Sequence, residues 1–282
     1  MVYPRPFIQC DVFTNAPTRG NALAVVLDGT GLSDEEMSAF AAWTNLAETT
    51  FLLPTQDTSA DYRLRIFTPS REMPFAGHPT LGSCAAWLHA GGTPKTSGIV
   101  RQECAVGIVE IKIDGEVPAF VAPPTQIKTL QTSECEAIAA KLDIDLQSIV
   151  ATALLDNGPV WKVIELDSAA DVLKVDSSKV RTPDDKPIGL IGAHPANSKC
   201  AYEVRMLAPS SGMSEDPITG SLNSALAHWF QSRNKLPYSM VIAQGTKIGR
   251  HGRVYVTQER DEDNRVLIGG HSHILIEGTV NL

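Results

Sequence analysis

Ala76-Gly77-His78-Pro79-Thr80-Leu81-Gly82-Ser83 is the stretch whose reading decides the fold, and a diverged echo of it follows at Asp216-Pro217-Ile218-Thr219-Gly220-Ser221. Each is expected to open a helix of small residues, over 80–89 in the first case and 219–230 in the second. Proline is tolerated at a helix start, because the first N–H groups have no intrahelical acceptor. Those N–H groups sit at the positive end of the helix dipole and form a ready site for an anion. Two such openings suggest two helix N-termini serving one small acidic molecule. Both helices are apolar nearly all round: Leu81, Cys84, Ala85, Ala86 and Leu88 in one, Leu222, Ala225, Leu226, Ala227 and Phe230 in the other. A helix without a polar face is buried on all sides. Strands wrapped around a central helix, done twice, meet that demand, so the expected class is α+β.

The flanking sequence supports this. Residues 7–13 and 21–27 read as apolar strands. Ser33 and Glu36 form a capping box for a helix running to about Asn45, with Met37, Phe40 and Ala41 inward. Residues 45–54 read as a helix end passing into a strand, with Glu48 at the junction. Residues 61–67 alternate as a half-buried strand. After the first central helix, Gly91-Gly92-Thr93-Pro94 leads to strands over 98–121. The programme then repeats, with a second capping box at Ser133-Glu134-Cys135-Glu136 and a helix to about Lys141. A strand over 161–166, a short helix over 168–173, strands over 188–191 and 202–207, and strands between 241 and 280 follow.

Arg65, Pro69, Ser70 and Met73 recur as Arg205, Pro209, Ser210 and Met213, each 140 positions on, and Gln102 is echoed by Gln244. Agreement in order as well as identity reads as two homologous halves. The expected domains are 1–123 and 124–282, with a seam near Ala122-Pro123-Pro124-Thr125 and a last strand free to cross back to the first half.

The 282-residue chain has 43% hydrophobic and 20% charged residues, enough to bury a substantial core. Its formal net charge of −8, without a dense Lys/Arg cluster, argues against nucleic acid and acidic membranes as partners. Five cysteines, odd in number and without a Cys-x-x-Cys, read as reduced thiols. No signal-peptide core or membrane-length apolar run is seen, so a cytoplasmic location is expected. There is no P-loop and no Gly-x-Gly-x-x-Gly fingerprint to support nucleotide binding. His271-Ser272-His273 places two imidazoles on one strand face, but without a third ligand nearby a surface role is expected and no metal site is assigned. Gly249-Arg250-His251-Gly252-Arg253 reads as a hairpin turn.

Five blocks together resemble the PhzF-like (phenazine biosynthesis) family: residues 20–26, 45–51, 65–69, 75–82 and 215–221. They span both halves in the family's order. The resemblance implies a diaminopimelate epimerase-like fold of two pseudo-symmetric domains, a homodimer, and an isomerase without a cofactor acting on a small carboxylate. It also implies roles for individual residues. Glu48 falls where the family has its catalytic acid–base, His78 matches a substrate-contacting histidine, Asp216 a functional aspartate and Ser221 a substrate-binding serine. Backbone N–H groups of Gly77, Gly220 and Ser221 would then hold the substrate carboxylate.

The chemistry required of Glu48 is to take a proton from one carbon and return it to another. That calls for a desolvated carboxyl, and Leu46, Ala47, Phe51 and Leu52 are the expected apolar surroundings. By itself, a glutamate at such a junction is ordinarily solvated, a lone histidine ordinarily caps or bonds within a core, and an aspartate ordinarily serves as an N-cap. Glu72 reads as a structural polar contact. Two-base epimerases of the wider superfamily carry a cysteine at each central helix start; here Ala76, and Asp216 or Pro217, stand there, and Cys84 lies a turn further on, expected to be buried and inert. That argues against cysteine-based racemisation and leaves a single-carboxylate shuttle open. A racemase or epimerase of an amino-acid derivative, and a non-catalytic binding protein keeping the fold, are the alternatives. The substrate is not legible.

Overall fold

The computed structural model describes residues 2–180, 187–207, 214–259 and 263–282, and divides into two compact units, Met1–Val121 with Gly269–Leu282, and Ala122–Ile268. Pro209, Ser210 and Met213 lie outside the described residues, so the repeat is traced through its other members.

In the first unit, β1 (Pro4–Val12) pairs antiparallel with β2 (Asn21–Val26) on one side and with the chain's last strand, β17 (Ser272–Asn281), on the other. Next comes α1 (Asp34–Thr44), capped as the sequence predicts: Ser33 accepts from the Glu36 N–H and Glu36 accepts from the Ser33 N–H. Its Met37, Phe40 and Ala41 face the core, and Asn45 closes it in the left-handed region. The crossover sets β3 (Glu48–Leu53) parallel to β2; β4 (Tyr62–Phe67) returns antiparallel, with β5 (Glu72–Met73) at its end. A second crossover carries α2 (Gly77–His89) and lays β6 (Ile99–Cys104) parallel to β4, followed by β7 (Gly107–Lys112) and β8 (Ala119–Val121). This second helix packs against β1, β2, β3 and β17, strands enclosing it as its apolar surface requires.

Gly82 makes that approach possible. A Cβ there would lie 2.6 Å from Leu23 Cδ2, 2.8 Å from Val12 Cγ2 and 3.0 Å from Cys10 Sγ.

The second unit repeats the plan. β9 (Gln126–Lys128) pairs with β10 (Ile149–Asp156), after α3 (Thr132–Leu142), and β10 with β11 (Val160–Leu166). A crossover through α4 (Ala169–Lys174) places β12 (Ile188–Ala193) parallel to β11; β13 (Tyr202–Leu207) returns antiparallel. A second crossover through α5 (Gly220–Ser232) sets β14 (Ser239–Gln244) parallel to β13, and β15 (Gly252–Gln258) follows antiparallel. Then comes β16 (Val266–Gly269). In each unit, therefore, an outer helix and then a central helix link two pairs of parallel strands.

Ser133 does not cap α3: the cap is Gln131, without a side-chain bond, and Ser133 lies inside the first turn. Leu130, buried just before the cap, fixes where the chain turns in, and tertiary anchoring overrides the local Ser-x-x-Glu signal. Residues 245–251 connect β14 to β15 and include a 3-10 turn over Thr246–Ile248; of the stretch read as a hairpin turn, 249–251 lie in this connection, while Gly252 and Arg253 already belong to β15.

One pair of side chains shows how differently the two units use the same plan. On β13, Arg205 is fully buried. It donates through Nε to Glu215 Oε1 at 3.1 Å and through Nη2 to Oε2 at 2.7 Å; its Nη1 serves the carbonyls of Val172 and Val175. On β4, Arg65 makes the same two-pronged contact with Glu72, 2.7 Å on each prong, and a third to Asp34, but in contact with solvent.

Candidate active site

Glu48 opens β3, and strand alternation decides what it meets. Thr49 and Phe51 point to the α1 side: Thr49 Oγ1 lies 2.7 Å from Thr44 Oγ1, and Phe51 packs with Phe40, Met37 and Phe67. Glu48 and Thr50 point to the α2 side, where Thr50 Oγ1 lies 2.9 Å from Ser83 Oγ and Glu48 Oε2 lies 3.2 Å from His78 Nδ1. Phe51 is thus not part of the Glu48 environment, contrary to the sequence expectation. The start of α2 and the strand beside it, β2, take that place.

His78 sits in the first turn of α2, which begins at Gly77, three residues before the expected start. It is 4% exposed. Burial pushes its imidazole down to about 3, with a backbone hydrogen bond at Ala22 opposing the shift. The ring is therefore neutral across the physiological range. Asn21 Nδ2 lies 3.5 Å from Nδ1, and Nε2 is buried without a hydrogen-bond partner. Asn21 lies in the first family block, residues 20–26, but the sequence gives it no role, since its place at the start of an apolar strand does not show that it meets His78. A neutral imidazole puts no cation beside the glutamate and has one N–H to give. A neutral ring can present Nδ1 as a donor to an ionised carboxylate or, in its other tautomer, as an acceptor from a protonated one; the 3.2 Å approach in this structure is a close contact and not a formed hydrogen bond. The pair accommodates both states of the carboxyl, whose side chain is 17% exposed. Gly77 is the first residue of α2, so its N–H has no intrahelical acceptor. The first unit thus brings Glu48, His78 and Gly77 together.

Asp216, Gly220 and Ser221 belong to the second unit. Asp216 is 7% exposed and does not cap α5; the cap is Thr219. Its Oδ2 accepts the Thr219 hydroxyl hydrogen, and its N–H donates to the Met206 carbonyl. Gly220 and Ser221 are the first two residues of α5. The Thr219 N–H donates to Gln244 Oε1 at 3.1 Å.

The remaining candidates separate cleanly. Cys84 is fully buried, and burial pushes its thiol up to about 12, so it is no nucleophile. Ala76 is the N-cap of α2, in extended conformation. Glu72 is engaged by Arg65. His271 and His273 are not surface residues as expected: both are half-buried, and His273 Nε2 is buried without a hydrogen-bond partner, because β17 lies along β1 with His273 opposite Asp11. No helix among the described residues is long and apolar enough to cross a membrane.

Residues 10–278 match the family model for phenazine biosynthesis-like proteins, PhzC-PhzF. The chain is 40% identical to antisense-enhancing sequence 1 of Schizosaccharomyces pombe, over 96% of this chain and 97% of that one. It is 31% identical to the trans-2,3-dihydro-3-hydroxyanthranilate isomerase of Pseudomonas aeruginosa, over 98% and 99%. In structure it is similar to a PhzF-family phenazine biosynthesis protein of Bacillus anthracis, with a TM-score of 0.85 at 24% identity over 99% of both chains. The family match over residues 10–278 shows that the chain belongs to the phenazine biosynthesis-like protein family, and relatives named as isomerases along its whole length make it an isomerase.

Proposed function

We propose that the chain moves a proton within a small unsaturated or cyclic carboxylic acid, with Glu48 as the single acid–base group and no cofactor. The observation that carries this reading is the 3.2 Å contact between Glu48 Oε2 and the buried, neutral His78. A shuttle must hold its carboxyl in one place while the proton comes and goes, and an imidazole able to donate or accept does that. Asp216 is assigned as the second polar group of the reaction. The N–H groups of Gly77, Gly220 and Ser221 are assigned to the substrate carboxylate, since helix N-termini favour anions. A homodimer is part of the same reading.

The test uses trans-2,3-dihydro-3-hydroxyanthranilate, which the Pseudomonas relative's name specifies, as the probe in deuterium oxide. Wild-type protein is expected to place solvent deuterium on carbon, read by mass spectrometry, and to shift a double bond without inverting a stereocentre. Glu48→Gln, which keeps shape and removes the basic oxygen, is expected to lose incorporation by at least about 10²-fold, the scale of a general base. Incorporation at the wild-type rate in Glu48→Gln would remove Glu48 from the role. If wild type leaves this probe unchanged, a panel of small unsaturated carboxylates ranked by thermal shift supplies the next one.

A further inference from the structure

Gln244, the last residue of β14, is fully buried and stands outside every role assigned above. Its amide can be oriented in one way only. One end faces the backbone N–H of Thr219 at 3.1 Å, a group that only donates, so that end is the oxygen. Asn223 confirms it: its Nδ2 reaches the Thr219 carbonyl at 2.9 Å and the same Gln244 oxygen at 2.8 Å, and only an NH₂ can face two acceptors. The other end of Gln244 is then an NH₂. It lies 2.9 Å from Thr219 Oγ1 and 3.3 Å from the Asp216 carbonyl. Because that NH₂ can only donate, Thr219 Oγ1 must accept from it and has one hydrogen left to give. Its remaining partner is Asp216 Oδ2.

We propose that Gln244 is a positioning residue: it fixes the direction of the Thr219 hydroxyl and thereby holds Asp216 Oδ2 as an acceptor, keeping that carboxylate ionised. Hydrogen bonds donated to a carboxylate favour its charged form. The first unit carries the same device with a different end point. Tyr62 donates to Gln102 Oε1 at 3.2 Å, Gln102 Nε2 donates to Thr80 Oγ1 at 3.2 Å, and Thr80 Oγ1 donates to the Ala76 carbonyl at 2.9 Å. There the relay ends on a backbone oxygen; in the second unit it ends on a side-chain carboxylate. The pairing of Gln102 with Gln244 in the sequence repeat thus has a physical content: a buried amide polarises a threonine beside each central helix start.

Among the described residues, the charged groups on the elements that carry the relay are these. Glu215, next to Asp216, is engaged by Arg205 of β13. Arg250 stands against Gly245 on the β14–β15 connection, and Arg253 of β15 contacts His251. On α5, His228 is the ionisable residue, half-buried.

The proposal rests on the assignment of Asp216 to the reaction only for its functional meaning, and the test separates the two. Protein labelled with ¹³C at aspartate carboxyls is titrated by NMR, with the Asp216 signal assigned by its absence in Asp216→Asn. Gln244→Glu replaces the donating NH₂ by an oxygen, so the Thr219 hydroxyl turns away from Asp216. The Asp216 midpoint is expected to rise by a unit or more, a tenfold gain in proton affinity. Thr219→Val, which deletes the hydroxyl at constant shape, is expected to do the same without adding charge, and carries the test if Gln244→Glu fails to fold. Thr219→Ser is expected to leave the midpoint in place. An unmoved midpoint in folded Thr219→Val overturns the relay. A moved midpoint, together with full deuterium incorporation by Asp216→Asn, would keep the relay and remove Asp216 from the reaction.

Discussion

Removing one carboxylate from each unit gives a sharp test of how burial sets the worth of an ion pair. Glu215→Ala and Glu72→Ala delete the same two-pronged partner of an arginine at equivalent strand positions. In the second unit Arg205 and the Glu215 side chain are fully buried, so the variant leaves a guanidinium in the interior with no counter-charge. Such a loss costs about 3–5 kcal/mol. In the first unit the Arg65 side chain is 17% exposed and Glu72 42%, and Asp34 remains as a second partner. An exposed pair is worth below about 1 kcal/mol. The contacts are of like length, 2.7–3.1 Å, so geometry alone predicts equal costs and burial predicts a several-fold difference. Urea unfolding at 25 °C reads the difference from the midpoint and slope. Calorimetry should show the Glu215 variant melting roughly 6–20 °C lower, at about 2–4 °C per kcal/mol. A double variant, Arg205→Met with Glu215→Leu, should recover part of the loss, short of wild type because the Val172 and Val175 carbonyls lose their donor. Equal costs for the two single variants, within about 1 kcal/mol, would refute the reasoning.

Other perturbations test other parts. His78 is buried neutral with its imidazole pushed down to about 3, against an ordinary value near 6.5. The unfolded chain therefore binds a proton between those limits that the folded chain does not, and stability falls as pH drops through that window; at pH 5 the loss is about 2 kcal/mol. Urea titrations at pH 7.5 and pH 5 should show this loss in wild type and not in His78→Gln; equal losses in both would exclude His78 as its source. Gly82→Ala should cost about 1–3 kcal/mol in the same assay, because the added Cβ meets Leu23 at 2.6 Å, whereas at Gly115 the nearest atom is 3.7 Å away and the cost should be small.

Much of this architecture was legible because it is written locally. The Ser33 capping box, the inward face of α1 and the all-apolar character of both central helices depend on residues within a turn or two of each other. Where reading fails, the cause is either a distant partner or a local rule that the sequence pattern misapplies. The same Ser-x-x-Glu pattern at Ser133 caps nothing, because buried Leu130 sets the helix start. Glycine and proline read as punctuation and put the start of α2 at Thr80, yet it begins at Gly77, because a first-turn proline lacks only an N–H that has no acceptor there. Closeness in sequence puts Phe51 beside Glu48, and a strand's alternation reverses that. The half-buried state of His273 follows from pairing with a strand some 260 residues earlier, beyond any local pattern. Glu48 and His78 could be named from the family blocks, but their 3.2 Å contact could not. Asn21 stands in a family block that does not mark it as a neighbour of His78, and Gln244 has only its echo of Gln102.

The place of β17 has a consequence for how the first unit closes. Strand β1 finds the partner for one of its edges some 260 residues further along the sequence, and α2 packs against both. Between them lie residues 122–268, a compact unit of their own. Completing the first unit therefore means closing a loop that holds the whole of the second, a pairing whose entropy is lost before its contacts are gained.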